Sequence, residues 1–221
     1  MGQAQEDTPI KYPKKIISKA EILAGANLIY PKKEYIEDRY RKFGYVVNLD
    51  LIHEVNSKLD IGLKMGYENK GFKSISNSNN PDFPPPSAQK VIQNLTLNYL
   101  TVTLYPKIKL LDSRRLYVGG GPYIGKLISE RLKTEIFING SLLQKTGSRP
   151  DPSKNHKLYD SGILLLIGYN FQLFKREGTF EVQYSIGLRN TTLPSSLEVR
   201  NQTMNILFGV NIFKANTFKS K

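Results

Sequence analysis

The chain of 221 residues has no Cys and no Trp. The first absence excludes disulfides and every Cys-ligated metal centre. Only two histidines occur, His53 and His156, far apart in sequence. No metal site and no cofactor are therefore expected. Long hydrophobic runs are missing too. The densest, Ile163 to Ile167, falls far short of the roughly 18 apolar residues of a spanning helix. Acid is scarce beside base: 19 Asp and Glu face 32 Lys and Arg, a formal net charge of +13. Such a balance fits an anionic membrane surface or a nucleic acid. Nucleic acid is the weaker fit, because neither aromatic stacking platforms nor a reading helix can be found. The chain opens with the polar residues Met1-Gly2-Gln3-Ala4-Gln5. This reads like the start of a mature exported chain carrying an added Met.

Helical periodicity is almost absent, and alternation with period two takes its place. Eight segments of about ten residues put apolar side chains on one face. They are Ile22–Tyr30, Tyr45–Leu51, Leu59–Tyr67, Leu100–Ile108, Leu116–Ile124, Ile163–Phe171, Phe180–Leu188 and Met204–Ile212, taking every second residue. None of those positions is charged. The other face carries Asn48, Asp50, Asp60, Lys64, Glu68, Lys107, Asp160, Glu181, Gln183, Arg189, Asn205 and Asn211. Alternation alone does not say which face is outside: a soluble barrel keeps its apolar face inward, and a membrane barrel turns it to lipid. Glycine decides. Of 17 glycines, 11 fall on the polar face and only Gly120 on the apolar one. Glycine is a poor choice for a solvated strand and a good one for the crowded interior of a small barrel.

The links agree. Short ones, around 55–57, 111–114 and 173–178, alternate with long ones at 31–42, 69–98, 129–158 and 190–201. Short periplasmic turns and long extracellular loops are the habit of outer-membrane barrels. The expectation is an all-β, closed, up-and-down antiparallel transmembrane β-barrel of about eight strands in the outer membrane. Residues 1–17 form a periplasmic segment, 18–213 the barrel and 214–221 a polar basic tail. Tyr30, Tyr45, Tyr67, Tyr169, Phe171 and Phe180 sit near segment ends, where a lipid-facing aromatic girdle is expected.

The phrases Asn98-Tyr99-Leu100-Thr101-Val102, Leu116-Tyr117-Val118-Gly119-Gly120-Gly121-Pro122-Tyr123-Ile124-Gly125 and Tyr159-Asp160-Ser161-Gly162-Ile163 resemble the PorT-type outer-membrane β-barrel family of Bacteroidota. Val182-Gln183-Tyr184-Ser185-Ile186-Gly187-Leu188 and the closing strand through Phe213 do so as well. The resemblance spans roughly residues 18 to 213. It implies an eight-stranded barrel and, from the founding member, a role in type IX secretion and gliding. It also implies that Phe213 is the terminal aromatic read by the insertion machinery, although Lys214 to Lys221 follow it.

No enzyme is expected. An eight-stranded barrel is filled by its own side chains, and Asp50, Asp60, Lys64, Glu68, Lys107, Glu181 and Arg189 are expected to pair inside it, since unpaired buried charge is costly. An enzymatic rival, a lipid A-modifying barrel, would draw on Ser153, His156 and Asp151 or Asp160. Basic residues gather in the first long link (Lys32, Lys33, Arg39, Arg41, Lys42) and the third (Arg131, Lys133, Lys145, Arg149, Lys154, Lys157). They sit at the height of lipopolysaccharide phosphates. Ser74 to Gln89 and Leu143 to Lys157 read as loops, whereas Val91 to Leu97 and Ile136 to Ile138 read as strands continuing above the membrane. The expected partners are outer-membrane lipids, lipopolysaccharide and protein subunits of an envelope complex.

Overall fold

A computed structural model describes residues 17–29, 39–80, 87–110, 115–151, 157–173, 176–189 and 201–214. All regular structure there is β. The strands are β1 (Lys19–Ile29), β2 (Arg39–Tyr40), β3 (Lys42–Glu54), β4 (Leu59–Asn80), β5 (Ser87–Leu110), β6 (Leu116–Ile138), β7 (Ser141–Ser148), β8 (Tyr159–Leu173), β9 (Arg176–Gly187) and β10 (Gln202–Lys214). All pairings are antiparallel. The order β3-β1-β10-β9-β8-β6-β5 closes on itself through β4, which pairs with both β3 and β5. Eight strands therefore make a ring, and β1 pairs with β10 from Lys19↔Lys214 to Ile29↔Thr203. The strand β10 runs one residue past Phe213, and Lys214 lies on the ladder.

The two faces sort as the alternation requires. Ile163, Leu165 and Ile167 point out of the ring, as do Met204, Ile206, Phe208 and Val210, all exposed. Between them Leu164, Leu166, Asn205 and Leu207 are buried. An apolar outside around a charged inside would be insoluble in water and is at home in lipid. Within a hydrocarbon layer a closed ladder is what pairs the backbone groups of every strand.

Glycine has a specific task inside. Tyr105 pairs across the ladder with Gly62, Tyr117 with Gly168 and Tyr123 with Gly162. Each ring lies over the bare backbone of its partner, and an added Cβ would collide with it. These tyrosines form one buried cluster with Leu164 and Leu166. Thus the glycine bias of the polar face makes room for tyrosine rings that fill the lumen. Between β5 and β6 the wall has a gap. The β5–β6 ladder stops after Thr103↔Tyr123 and resumes unshifted at Lys107↔Gly119, and Pro106 and Pro122 in the gap have no N–H to offer.

The structure corrects the reading of the long links as loops. The strands β4 and β5 stay paired to Asn80↔Ser87, and β6 continues to Ile138. A turn at Asn139 and Gly140, both at positive φ (48° and 82°), folds β7 back on β6. Asn-Gly is a strong two-residue hairpin signal. Ser- and Asn-rich strands have no apolar face to announce them, so pattern alone misses them. The result is a sheet, β2-β4-β5-β6-β7, that stands above the barrel on the side of the long links. The expectation for Val91 to Leu97 and Ile136 to Ile138 is met. Pro84 to Pro86 lie outside the described residues.

Replacing Gly168 with Val is expected to block closure, because the new side chain takes the space of the Tyr117 ring. Most of the protein should lose the fast-migrating unheated band on a denaturing gel. Gly147→Val, whose Cβ meets nothing within 4 Å, should keep it, and adding Tyr117→Ala to Gly168→Val should restore it.

Candidate functional site

The interior holds two groups of buried charge. In the group nearer the short links, Lys64 Nζ donates to Glu181 Oε1 and Oε2 at 2.9 and 2.7 Å and lies 3.6 Å from Asp50 Oδ2. The Tyr105 hydroxyl donates to Asp50. Gln183 donates to Glu181 at 3.2 Å and accepts from Asn205 at 3.2 Å. Next to it Glu21 pairs with Lys19, accepts from Thr179 Oγ1 at 2.9 Å and lies 3.9 Å from Lys107 Nζ. The Lys107 ammonium also stands 3.8 Å above the Tyr117 ring.

In the outer group, Lys70 Nζ lies 2.9 Å from Glu68 and 3.6 Å from Asp160. It is 5.3 Å from the rings of both Tyr99 and Tyr123. Tyr123 and Asn201 donate to Asp160 at 3.3 and 3.0 Å. The void between the groups, flanked by Lys64, Glu68 and Lys70, measures about 10 Å³, which is room for about one water. The barrel is filled at this level. A wider cavity of about 320 Å³ opens at the other end, lined by Lys19, Glu54, Asp60, Lys109, Arg115 and Glu177 among others.

The residues expected to pair divide accordingly. Asp50, Lys64 and Glu181 meet directly. Lys107 stands beside them, 3.9 Å from Glu21 and within electrostatic reach of Asp50 and Glu181, and Glu68 belongs to the outer group. Asp60 lies in the mouth on the side of the short links, 2.7 Å from Lys109. Arg189 is a correction: it is exposed, two residues beyond the end of β9, where the ladder no longer fixes its direction. Glu21 and Lys70 were missed, although both have inward parity on their strands. Lys70 sits beyond the last apolar outward position, so no alternation flagged it.

Of the aromatic positions, Tyr45 and Tyr67 stack outside the barrel at 5.9 Å. Tyr169 and Phe180 are cross-strand partners near the opposite end, where Phe171 lies over Gly178. Phe213 is exposed on β10. Tyr30 lies outside the described residues, as do Ser153 and His156. Asp160 is fully buried against Lys70 and Asn201, so it is not free to serve a loop triad. Among the described residues, no group of three His, Cys, Asp or Glu is placed to hold a metal ion.

Replacing Lys64 with Met removes the cation that bridges Asp50 and Glu181 and leaves two buried carboxylates without it. The expected loss is about 3–5 kcal/mol of stability, read as a lower urea midpoint for refolding into lipid vesicles. An unchanged midpoint would mean that the pair is not buried together.

Comparison with known proteins follows the same lines. A model of the outer membrane protein beta-barrel domain matches residues 19–193. Three solved structures are similar to this chain. The attachment invasion locus protein Ail of Yersinia pestis has 14% identity and a TM-score of 0.42, covering 88% of this chain and 99% of its own. Neisserial surface protein A has 8% identity and a TM-score of 0.44, covering 87% and 95%. OprG of Pseudomonas aeruginosa has 10% identity and a TM-score of 0.41, covering 90% and 98%. Likeness at this level carries no argument about function. No curated protein sequence matches the chain. The family match spans most of the ring, from β1 through β9, and with it the chain belongs to the outer membrane protein beta-barrel domain family and resides in the outer membrane.

Proposed function

We propose that this barrel is a non-enzymatic binding subunit of an envelope complex and that it docks a protein partner along its extracellular sheet. One observation carries the reading. The strand β7 pairs with β6 on one side only, and among the described residues its other edge has no ladder partner. All eight of its residues are exposed, Leu143 at 66%. A strand with free N–H and C=O groups is a template for an added strand, and proteins usually protect such edges unless they use them. Lys145 is the one charge on β7, and it is tied to Glu135 at 2.7 Å.

The filled lumen supports a binding role over general transport. The buried carboxylates support it over catalysis, because Asp50, Glu68, Asp160 and Glu181 are each held by a lysine. The PorT resemblance makes type IX secretion and gliding the sharpest form of the proposal.

Proline at Thr146 or at Gly147, consecutive residues on the unshifted rungs Thr134↔Thr146 and Lys133↔Gly147, removes one N–H from each edge of β7 in turn. One of the two variants therefore removes a donor from the free edge. The expected result is loss of at least nine-tenths of the partner that co-purifies from gently solubilised membranes, with the unheated gel mobility of the barrel unchanged. An unaltered set of co-purifying proteins in both variants would contradict the proposal and leave a stand-alone surface barrel.

A further inference from the structure

The outward face of the same sheet carries a feature independent of its edge. Rows of side chains cross β4, β5 and β6 above the membrane: Asn69–Asn98–Ser129, then Gly71–Thr96–Arg131, then Lys73–Asn94–Lys133. From β3, Lys42 reaches over and donates to Thr96 Oγ1 at 2.5 Å and to the Leu95 carbonyl at 2.8 Å. Four cations, Lys42, Lys73, Arg131 and Lys133, thus surround Thr96 and Asn94. The acid beside them, Glu135, is taken by Lys145. Among the described residues none of the four forms a close ion pair with a carboxylate, although Glu135 also feels the charges of Lys73 and Lys133. Lys42 stands three residues above the Tyr45 girdle position, and burial together with nearby Lys133 pushes its ammonium down to about 8. Like charges crowded in this way destabilise the chain alone and are relieved by an anion.

The position of the patch selects the anion. Its face is continuous with the lipid-facing row Tyr67–Leu100–Lys126. Arg131 is two rows of paired residues beyond that row. At roughly 3.3 Å per residue and a strand tilt of about 40°, its row stands about 10 Å higher, and that of Lys73 and Lys133 about 15 Å higher. Hydrocarbon has ended there, and the headgroup layer, roughly 5–8 Å thick, lies at or just below these rows. A lipid whose headgroup is a large phosphorylated saccharide presents its phosphates near this height while it stays anchored beside the barrel, whereas a soluble polyanion has no such anchor.

We infer that this patch binds the phosphorylated saccharide headgroup of a glycolipid in the surrounding outer leaflet. Arg131 is suited to fork two phosphate oxygens, and Lys42, Lys73 and Lys133 act as point charges around it.

The test uses the full chain in detergent micelles, with native mass spectrometry counting retained lipid. The probes are diphosphoryl lipid A, the same lipid stripped of phosphate, and soluble heparin. Each surface cation contributes about fivefold to attraction. The triple variant K73Q/R131Q/K133Q is therefore expected to retain diphosphoryl lipid A about 100-fold more weakly, with its unheated gel mobility intact. The natural chain should discriminate against the phosphate-free lipid by a similar factor, an arm that needs no variant. Equal retention of the two lipids by the natural chain would overturn the inference. So would equal retention by the triple variant, or capture of heparin in place of lipid A.

Discussion

Backbone N–H and C=O groups placed in hydrocarbon have no water to pair with, and the rest of this structure depends on that constraint. Each ring strand must be flanked on both sides, which forces β1 to meet β10 and makes the sheet a ring. Closing so few strands leaves a narrow lumen, and the narrow lumen dictates the composition of the inner face. Glycine opposite tyrosine is one solution, seen three times. Lysine between carboxylates is the other, seen at Lys64 and Lys70. Both fill space, and the second sets a cation beside each pair of buried carboxylates. The same filling argues against a wide channel, since only about 10 Å³ remains between the two charged groups.

Much of this was legible in the sequence. Alternation without charge on one face marked all eight ring strands and separated the two faces of each. The glycine count told inside from outside for a reason now visible as the pairs Gly62–Tyr105, Gly162–Tyr123 and Gly168–Tyr117. What the pattern missed lies where its physical basis fades. Above the membrane neither face meets lipid, so 74–80 and 141–148 lose their apolar stripe and read as loops. The Asn139-Gly140 pair was the surviving local signal of that hairpin, and it reports a turn, not a hydrophobic face. Arg189 failed for the complementary reason: parity was extended past the last rung of β9.

The division of the molecule follows from its surroundings. Within the membrane the chain is constrained on both faces, lipid outside and neighbouring side chains inside, and offers little to a ligand. Above it, β4 to β7 are released from both constraints. That sheet is where the exposed edge of β7 and the cations around Thr96 occur. The two features lie on different parts of one element, the edge and the outward face, and the binding reading of each stands without the other.

The central claim is that the apolar face meets lipid and the polar, glycine-rich face is the interior. Nitroxide labels placed singly at Ile206, Leu207 and Phe208 in reconstituted vesicles test it directly, by collision with oxygen, which concentrates in hydrocarbon. The account predicts high oxygen accessibility at 206 and 208 with a minimum at 207. The reverse alternation, or protein that stays in water without lipid or detergent, would contradict it and turn the barrel inside out.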